Sequence, residues 1–548
     1  MNIETEGVSA LIDGGGLGDR ARPETLSRVA IHFRGLGPHL REDKTMCRLC
    51  DLKTPLAPCL TRRDVLKASA LGAAATLTGL GASQAQAAAR EQAGPPQGAG
   101  EPGRRVLLKG GTVLSMDDGV GNFATGDVLV EGKRIVEVAA SIDAGDAAVI
   151  DATGKIVMPG FIDTHHHQFE TALRSQLANG ILNNDGRPVN EQNYYDTILH
   201  KFSMVYRPED VYINELFGGI AQLDAGVTTV MDVSQIHHSP EHSDAAIEGL
   251  RDAGRRGVFG YFEGYGDRLQ YPADARRIRE QYFSSDDQLM TMVMDGEIYM
   301  PGWEAAWDVG RELDLPIALH MVGTFGMRDT FDQLARDGRF GPNHIFIHMT
   351  GMSDMAWQAA ADAGSHVSLA VPIEMHMRHG YPPIQKCIDL GLSTSLSTDV
   401  ECTMTADFFT QMRHLITLQR MWVNEAALSG AKDYPALMQC IDAIRFATMG
   451  GAEGLGLAHK VGSLTPGKEA DIILLDANAI NVAPLNNAPG AVVTLMERTN
   501  VDTVMVAGRI MKWQGALQGF DVPRLRSELE TSRDYLFEAA GIERDLFA

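Results

Sequence analysis

Three histidines stand in a row, His165-His166-His167, directly after the break Pro159-Gly160 and the run Phe161-Ile162-Asp163-Thr164. In an extended strand, residues i and i+2 point to the same side. His165 and His167 can therefore converge on one metal ion while His166 points away. Neutral imidazole is the commonest metal ligand, and two on one strand make a rigid half-site. Further ligand-type residues follow at the ends of other apolar runs. His320 ends the segment from Leu315, His348 the segment from His344, and Asp399 the segment from Leu392. Alone, each has a structural explanation: His320 and His348 as satisfied core histidines, Asp399 as a helix cap. Together they are candidates to complete a metal site.

Such residues need a scaffold that brings distant segments to one place. Each segment is short and strand-like, and enough chain separates it from the next for a helix. That rhythm is the one of a βα barrel, whose chemistry sits at the carboxyl ends of its strands. Apolar residues recur at helical spacing over Arg207–Gly226, Asp244–Gly254, Glu304–Leu313 and Asp354–Ala363. Val106 to Met158 instead alternates short apolar runs with turn residues, and similar strands return at Asp471–Leu475 and Thr503–Ile510. The expected fold class is α/β, a (β/α)8 TIM-like barrel with a small β-sandwich formed by both chain ends. The expected organisation is a leader over 1–87, a linker over 88–104, a sandwich from 105–158 and 457–515, a barrel over 159–456 and a helical tail over 516–548.

The bulk composition narrows the partners. Hydrophobic residues make up 44% of 548 and charged residues 22%, as in a soluble globular enzyme. The net charge of -23 argues against nucleic acid or an anionic membrane surface as partner. Six cysteines are few for the length. Three of them, Cys387, Cys402 and Cys440, follow the leader, and an odd number argues against a complete disulfide framework.

The leader carries Thr61-Arg62-Arg63-Asp64-Val65-Leu66-Lys67, an apolar stretch from Ala68 to about Ala82, and the small-x-small site Ala85-Gln86-Ala87. This resembles a twin-arginine export signal, which implies a periplasmic or secreted protein. The stretch is too short and too weakly apolar for a good membrane span, so no stable membrane insertion is expected. Such motifs sit near a chain start, so translation is expected to begin at Met46, with residues 1–45 a start-site error. Cys47 and Cys50 form an isolated pair in this leader.

The motifs together resemble the amidohydrolase superfamily of metal-dependent hydrolases, in the branch of cytosine deaminase, guanine deaminase and the triazine hydrolases. Pro159 to His167 matches the family's first-strand signature, Ala225–Asp232 resembles its second-strand motif, and Gly462–Asp476 and Val501–Gly515 resemble its returning sandwich. The resemblance runs from about Arg105 to about Gly515. It implies that His165, His167, His320 and Asp399 hold one divalent cation, zinc first, with iron or manganese also suited. It implies that Asp399 also takes the proton of the attacking water and that His348 hydrogen-bonds the water and the developing oxyanion. The candidate fourth strand, Leu289–Gly296, lacks the lysine that bridges two metals in binuclear members, which favours one metal. The substrate is expected to be a small, cyclic molecule cleaved at a carbon–nitrogen bond other than a peptide bond. Metal-assisted dehalogenation or a lyase reaction is the alternative on the same scaffold, and a non-catalytic metal-binding protein a more distant one. The family also implies a homo-oligomer.

Other histidines and acids flank this set. His237, with His238 and His242, lies after the second strand, either lining the substrate pocket or in a solvated loop. Glu374, His376 and His379 lie beyond the seventh strand, where barrel loops touch substrate. In the deaminases of this branch a glutamate that shuttles protons follows the fifth-strand histidine by three residues. Here that position is Gly323. Either another acid, such as Glu374 or Glu297, supplies the proton, or the reaction needs none.

Overall fold

The computed structural model describes residues 94–547, apart from 188–191, 265–267 and 286. The leader, with its arginine pair, its three cysteines and Met46, lies outside the described residues, as does the start of the expected linker. Five strands come first: β1 (Arg105–Val113), β2 (Phe123–Glu131), β3 (Arg134–Ala139), β4 (Ala148–Asp151) and β5 (Lys155–Pro159). The eight strands β6 (Phe161–His166), β7 (Val227–Ser234), β8 (Arg256–Tyr261), β9 (Met290–Asp295), β10 (Ile317–Val322), β11 (His344–Thr350), β12 (His366–Leu369) and β13 (Ser393–Leu396) pair in parallel, each with the next. Four more follow: β14 (Ile472–Asp476), β15 (Val501–Val506), β16 (Arg509–Trp513) and β17 (Ala516–Leu517).

The run that delivers the histidines is two strands in two sheets. β5 pairs with β1 and β14 in a nine-stranded sheet built from both ends of the described chain, while β6 opens the barrel. Gly160 makes the transfer. A Cβ there would stand 2.2 Å from the Thr228 side chain, so only glycine lets the chain pass this close. Alternation then sorts the side chains. Val157, Ile472, Leu474 and Met505 face a core within the nine-stranded sheet, whereas Ile156, Met158, Ile473 and Leu475 join a core shared with the barrel helices. Arg256 on β8 adds a buried polar tie: its guanidinium donates to Glu469 Oε2 at 2.7 Å and to Asp471 Oδ2 at 3.1 Å. Good geometry on both acids compensates the desolvation of all three charges.

Inside the barrel, Ile162, Met231, Val233, Val258, Val293, Ala318, Ile345 and Ile347 form one apolar cluster. The helix Met449–Gly454 closes the amino end, where Gly450 and Gly451 touch Thr394 and Ile162 at the strand starts. The connecting helices follow the expected periodicity: Pro208–Asp224, Pro240–Asp252, Trp303–Glu312 and Asp354–Asp362. The tail helix, Val522–Ala540, buries Leu525, Leu529, Leu536 and Phe537 against the first barrel helices. Among the described residues, no helix is long and apolar enough to cross a membrane.

Barrel closure bears directly on the site. β13 ends at Leu396, and the seam to β6 is sealed by the segment that follows. Asp399 N–H donates to His165 O at 3.0 Å, and His167 N–H donates to Asp399 O at 2.9 Å. The last barrel segment therefore meets the first at three of the candidate ligands.

Candidate metal centre

At the carboxyl end of the barrel, four side chains from three strands turn their donor atoms to one point. The Nε2 atoms of His165 and His167 lie 3.0 Å apart, and His320 Nε2 is 3.0 Å from that of His165. Asp399 Oδ1 stands 3.6 Å from His165 Nε2 and 3.5 Å from His167 Nε2. His166 points elsewhere, its Nδ1 3.0 Å from the Thr398 hydroxyl. The hydroxyl of Thr398 in turn donates to Asp163, which also accepts from Gln222 Nε2 at 2.8 Å. Asp163 thus fastens β6 to the residue before Asp399.

The far sides of the rings fix which nitrogen faces inward. His167 Nδ1–H donates to Gln235 Oε1 at 2.9 Å, leaving Nε2 with its lone pair free. His320 Nδ1–H donates to Glu297 Oε1, which also accepts the His320 backbone N–H at 2.7 Å. Burial and the neighbouring imidazoles push His165 and His167 well below the ordinary histidine range. Burial opposes charge on His320 too, but the charge and hydrogen bond of Glu297 raise it above the usual value. Burial lifts the Asp399 carboxyl to about 7, against the pull of His320. Buried nitrogen lone pairs that converge beside a carboxylate repel one another unless a cation sits among them. The donor set therefore fits a divalent metal, with three imidazoles and one carboxylate suiting zinc.

His348 stands on the other side of Asp399, its Nε2 3.4 Å from Oδ2. It reaches there by breaking strand alternation. Ile345 and Ile347 face the barrel cluster, and His348 follows with φ of 66°. Asp399 itself has φ of 61°. Left-handed backbone at two non-glycine residues is a cost of about 1 kcal/mol or more each, held in place by the surrounding packing. Glu374 lies behind His348, accepting from its Nδ1 at 3.2 Å and from Ala370 N–H at 2.9 Å. Burial drives its carboxyl well above the carboxylate range.

A cavity opens over these groups. Tyr194, Tyr195, Tyr299, Phe325, Leu199 and Met377 form much of its wall. Among the described residues, Asp399 is the one carboxylate in the lining. Three expectations, those for His237, His376 and Glu374, need correction here. His237 does not reach the cavity: Ser243 Oγ at 2.9 Å and Ser234 O at 2.6 Å take both its ring nitrogens. His376 is exposed and donates to Ala178 O at 2.8 Å. Glu374 and Glu297 are buried beside the site, each engaged with a histidine rather than facing the cavity. His379 does line it. A side chain at position 323 has little room, since a Cβ there would lie 3.1 Å from Gly351 Cα and 3.2 Å from Thr350 O.

Several contributing residues left no clear sequence signal. Gln235 follows β7 by one residue and sets the His167 tautomer, while its Nε2 donates to Glu263 Oε1 at 3.2 Å. Tyr299 donates to the same oxygen at 2.6 Å. Glu263, Asp295 and Glu297 form a buried carboxylate group behind His320. Position just beyond a strand's carboxyl end was the available clue for Gln235, Glu263 and Glu297.

The geometry agrees with the comparisons to known proteins. The amidohydrolase family model matches residues 156–511. The 5'-deoxyadenosine deaminase of Methanothermobacter thermautotrophicus is 26% identical over 433 residues, 75% of this chain and 94% of the relative. The 5-methylthioadenosine/S-adenosylhomocysteine deaminase of Pelotomaculum thermopropionicum is 26% identical over 449 residues, 78% and 97% of the two chains. An adenosine deaminase from Xanthomonas campestris with bound zinc superposes with a TM-score of 0.68 at 21% identity, covering 80% of this chain and 99% of its own. Atrazine chlorohydrolase from Arthrobacter aurescens, complexed with zinc, gives 0.66 at 19% identity, covering 78% and 100%. With the family model spanning well over half its length and the strand-end ligands in place, the chain belongs to the amidohydrolase family.

Proposed function

We propose that this protein is a single-metal hydrolase that cleaves a carbon–nitrogen bond, other than a peptide bond, in a small cyclic molecule. The observation that carries the reading is the convergence of three imidazole Nε2 atoms and Asp399 at the floor of an aromatic-walled cavity. His165, His167, His320 and Asp399 would hold the metal, and zinc is the proposed ion. Bound there, a divalent cation supplies Lewis-acid activation of water near neutral pH. Asp399 accepts the proton of the attacking water. As the one carboxylate lining the cavity among the described residues, it also returns that proton to the departing nitrogen. His348 stands beside it to hydrogen-bond the oxygen that gains charge. The tyrosine and phenylalanine walls hold a planar ring in place.

Adenine nucleosides are the first substrates to test, because the two relatives above are named as deaminases of that class. Incubation of zinc-loaded protein with 5'-deoxyadenosine, 5'-methylthioadenosine, cytosine, melamine and a chlorotriazine, read by mass spectrometry and by ammonia and halide release, tests the reading. Replacement of an amino group by oxygen with stoichiometric ammonia supports deamination. Gain of water without ammonia means ring opening at a cyclic amide instead. Loss of halide from a chlorotriazine, with no action on any carbon–nitrogen bond, would refute the proposal. We further propose export by the twin-arginine route, on the strength of Thr61–Lys67; cell fractionation with Arg62→Lys/Arg63→Lys tests it, and unchanged export would sink it.

A further inference from the structure

His379 is 6% exposed and lines the cavity, yet neither of its ring nitrogens has a hydrogen-bond partner among the described residues. Its backbone is well held: Thr350 Oγ1 donates to His379 O at 2.7 Å, and His379 N–H donates to Glu374 O at 3.2 Å. Its ring packs edge-on against His348, with centroids 4.6 Å apart. The side chain is thus fixed, while both its polar atoms are left unserved. Two other polar groups of the wall are engaged. Gln235 bonds His167 and Glu263, and Tyr299 bonds Glu263. His237, a buried histidine away from the cavity, shows the contrast, since it uses both nitrogens on protein atoms. A buried imidazole without partners is costly to keep unless something that enters the cavity supplies them.

We propose that His379 is a substrate-contacting residue that hydrogen-bonds a polar ring atom or substituent next to the carbon under attack, so that the cavity selects polar heterocycles over apolar rings of the same size. The inference rests on the hydrolase reading above. A neutral imidazole offers one N–H donor and one acceptor, and either can face a ring nitrogen, an exocyclic amine or a carbonyl. Its place beside His348 puts it over the reacting region rather than at the cavity mouth. A site built to bond a polar substrate group penalises analogues that lack the group, because its own atoms are then left unpaired.

His379→Phe keeps a planar ring against His348 and removes both nitrogens; His379→Gln keeps a donor and an acceptor. Three readouts are taken on zinc-loaded protein. Zinc per chain should equal wild type in both variants. The melting temperature of His379→Phe should equal or exceed that of wild type, because unpaired buried polar atoms are replaced by carbon. On the best nucleobase or nucleoside substrate of the panel, kcat/KM should fall by about tenfold or more in His379→Phe, with part recovered in His379→Gln. A clear drop in melting temperature would show that the nitrogens serve the fold, and loss of zinc would make His379 part of the metal's support. Either overturns the proposal, as does an unchanged kcat/KM. If wild type hydrolyses nothing in the panel, the hydrolase reading fails on that assay. The melting and zinc arms still decide whether His379 has a structural role, and hypoxanthine binding by calorimetry, unchanged in His379→Phe, would overturn its contact role independently.

Discussion

Two histidine clusters lie beyond barrel strands in this protein, and they differ in what their nitrogens do. His165, His167 and His320 turn Nε2 toward a common point where the protein supplies no hydrogen. His237, His238 and His242, after β7, spend their nitrogens on protein oxygens: Ser243 and Ser234 for the first, Ser203 O for the second, Ser239 and Tyr206 O for the third. Both clusters are buried. Burial and residue type are therefore poor guides to chemistry, whereas the partner of each lone pair separates a site from a satisfied piece of the core. Burial depresses the titration of His237 to about 3 and pushes His165 and His167 down as well, so the pKa does not separate these either.

Substitutions can break or sharpen this contrast. Asp399→Asn should have the largest effect, lowering kcat by on the order of 10³-fold while the protein stays folded by circular dichroism. Near-normal turnover would remove Asp399 from proton transfer. His165→Ala should release the metal, read by elemental analysis after dialysis, and full occupancy would take it out of the ligand set. Gln235→Leu leaves every proposed ligand in place but frees the His167 ring to adopt the other tautomer. Metal affinity, measured by chelator competition, should fall by about 10- to 100-fold. Unchanged affinity would mean that packing alone orients the ring.

The second cluster should respond in stability alone. His237→Leu strands the Ser243 hydroxyl and removes one of two donors to the Ser234 carbonyl, and should cost about 1–3 kcal/mol in denaturant unfolding, with zinc content and kcat retained. Loss of zinc there would erase the distinction between the clusters. His376→Ala should be the mildest, within about 0.5 kcal/mol of wild type and with normal kinetics, since an exposed side chain loses one hydrogen bond. A tenfold loss of activity would return His376 to the site.

Much of the architecture was legible in the chain. Short apolar segments ending in ligand-type residues marked β6, β10, β11 and β13, the family resemblance marked β7, and helical spacing marked the segments between several of them. The strands β8 and β12 were harder to see, because Arg256–Tyr261 and His366–Leu369 are short and carry little alternation. The run from Lys155 to His166 was expected to divide at the Pro159-Gly160 break, with the sandwich ending at 158 and the barrel beginning at 159. That division depends on what Gly160 packs against, a contact with Thr228 far along the sequence.

The sequence by itself determined the donor types, their order and the local geometry that lets His165 and His167 share one side of a strand, because those follow from covalent spacing and backbone period. It also determined that position 323 carries no acid. The tertiary structure alone decided which nitrogens meet. Asp399 comes to the first two histidines through the hydrogen bonds that close the barrel, His348 joins them through a left-handed turn, and Gln235 and Glu297 choose the tautomers from neighbouring strand ends. It likewise separated His379, with its nitrogens unspent, from His237 and His376, whose nitrogens the fold already uses. A lone pair's partner is a matter of through-space contact, and spacing along one chain does not encode it locally.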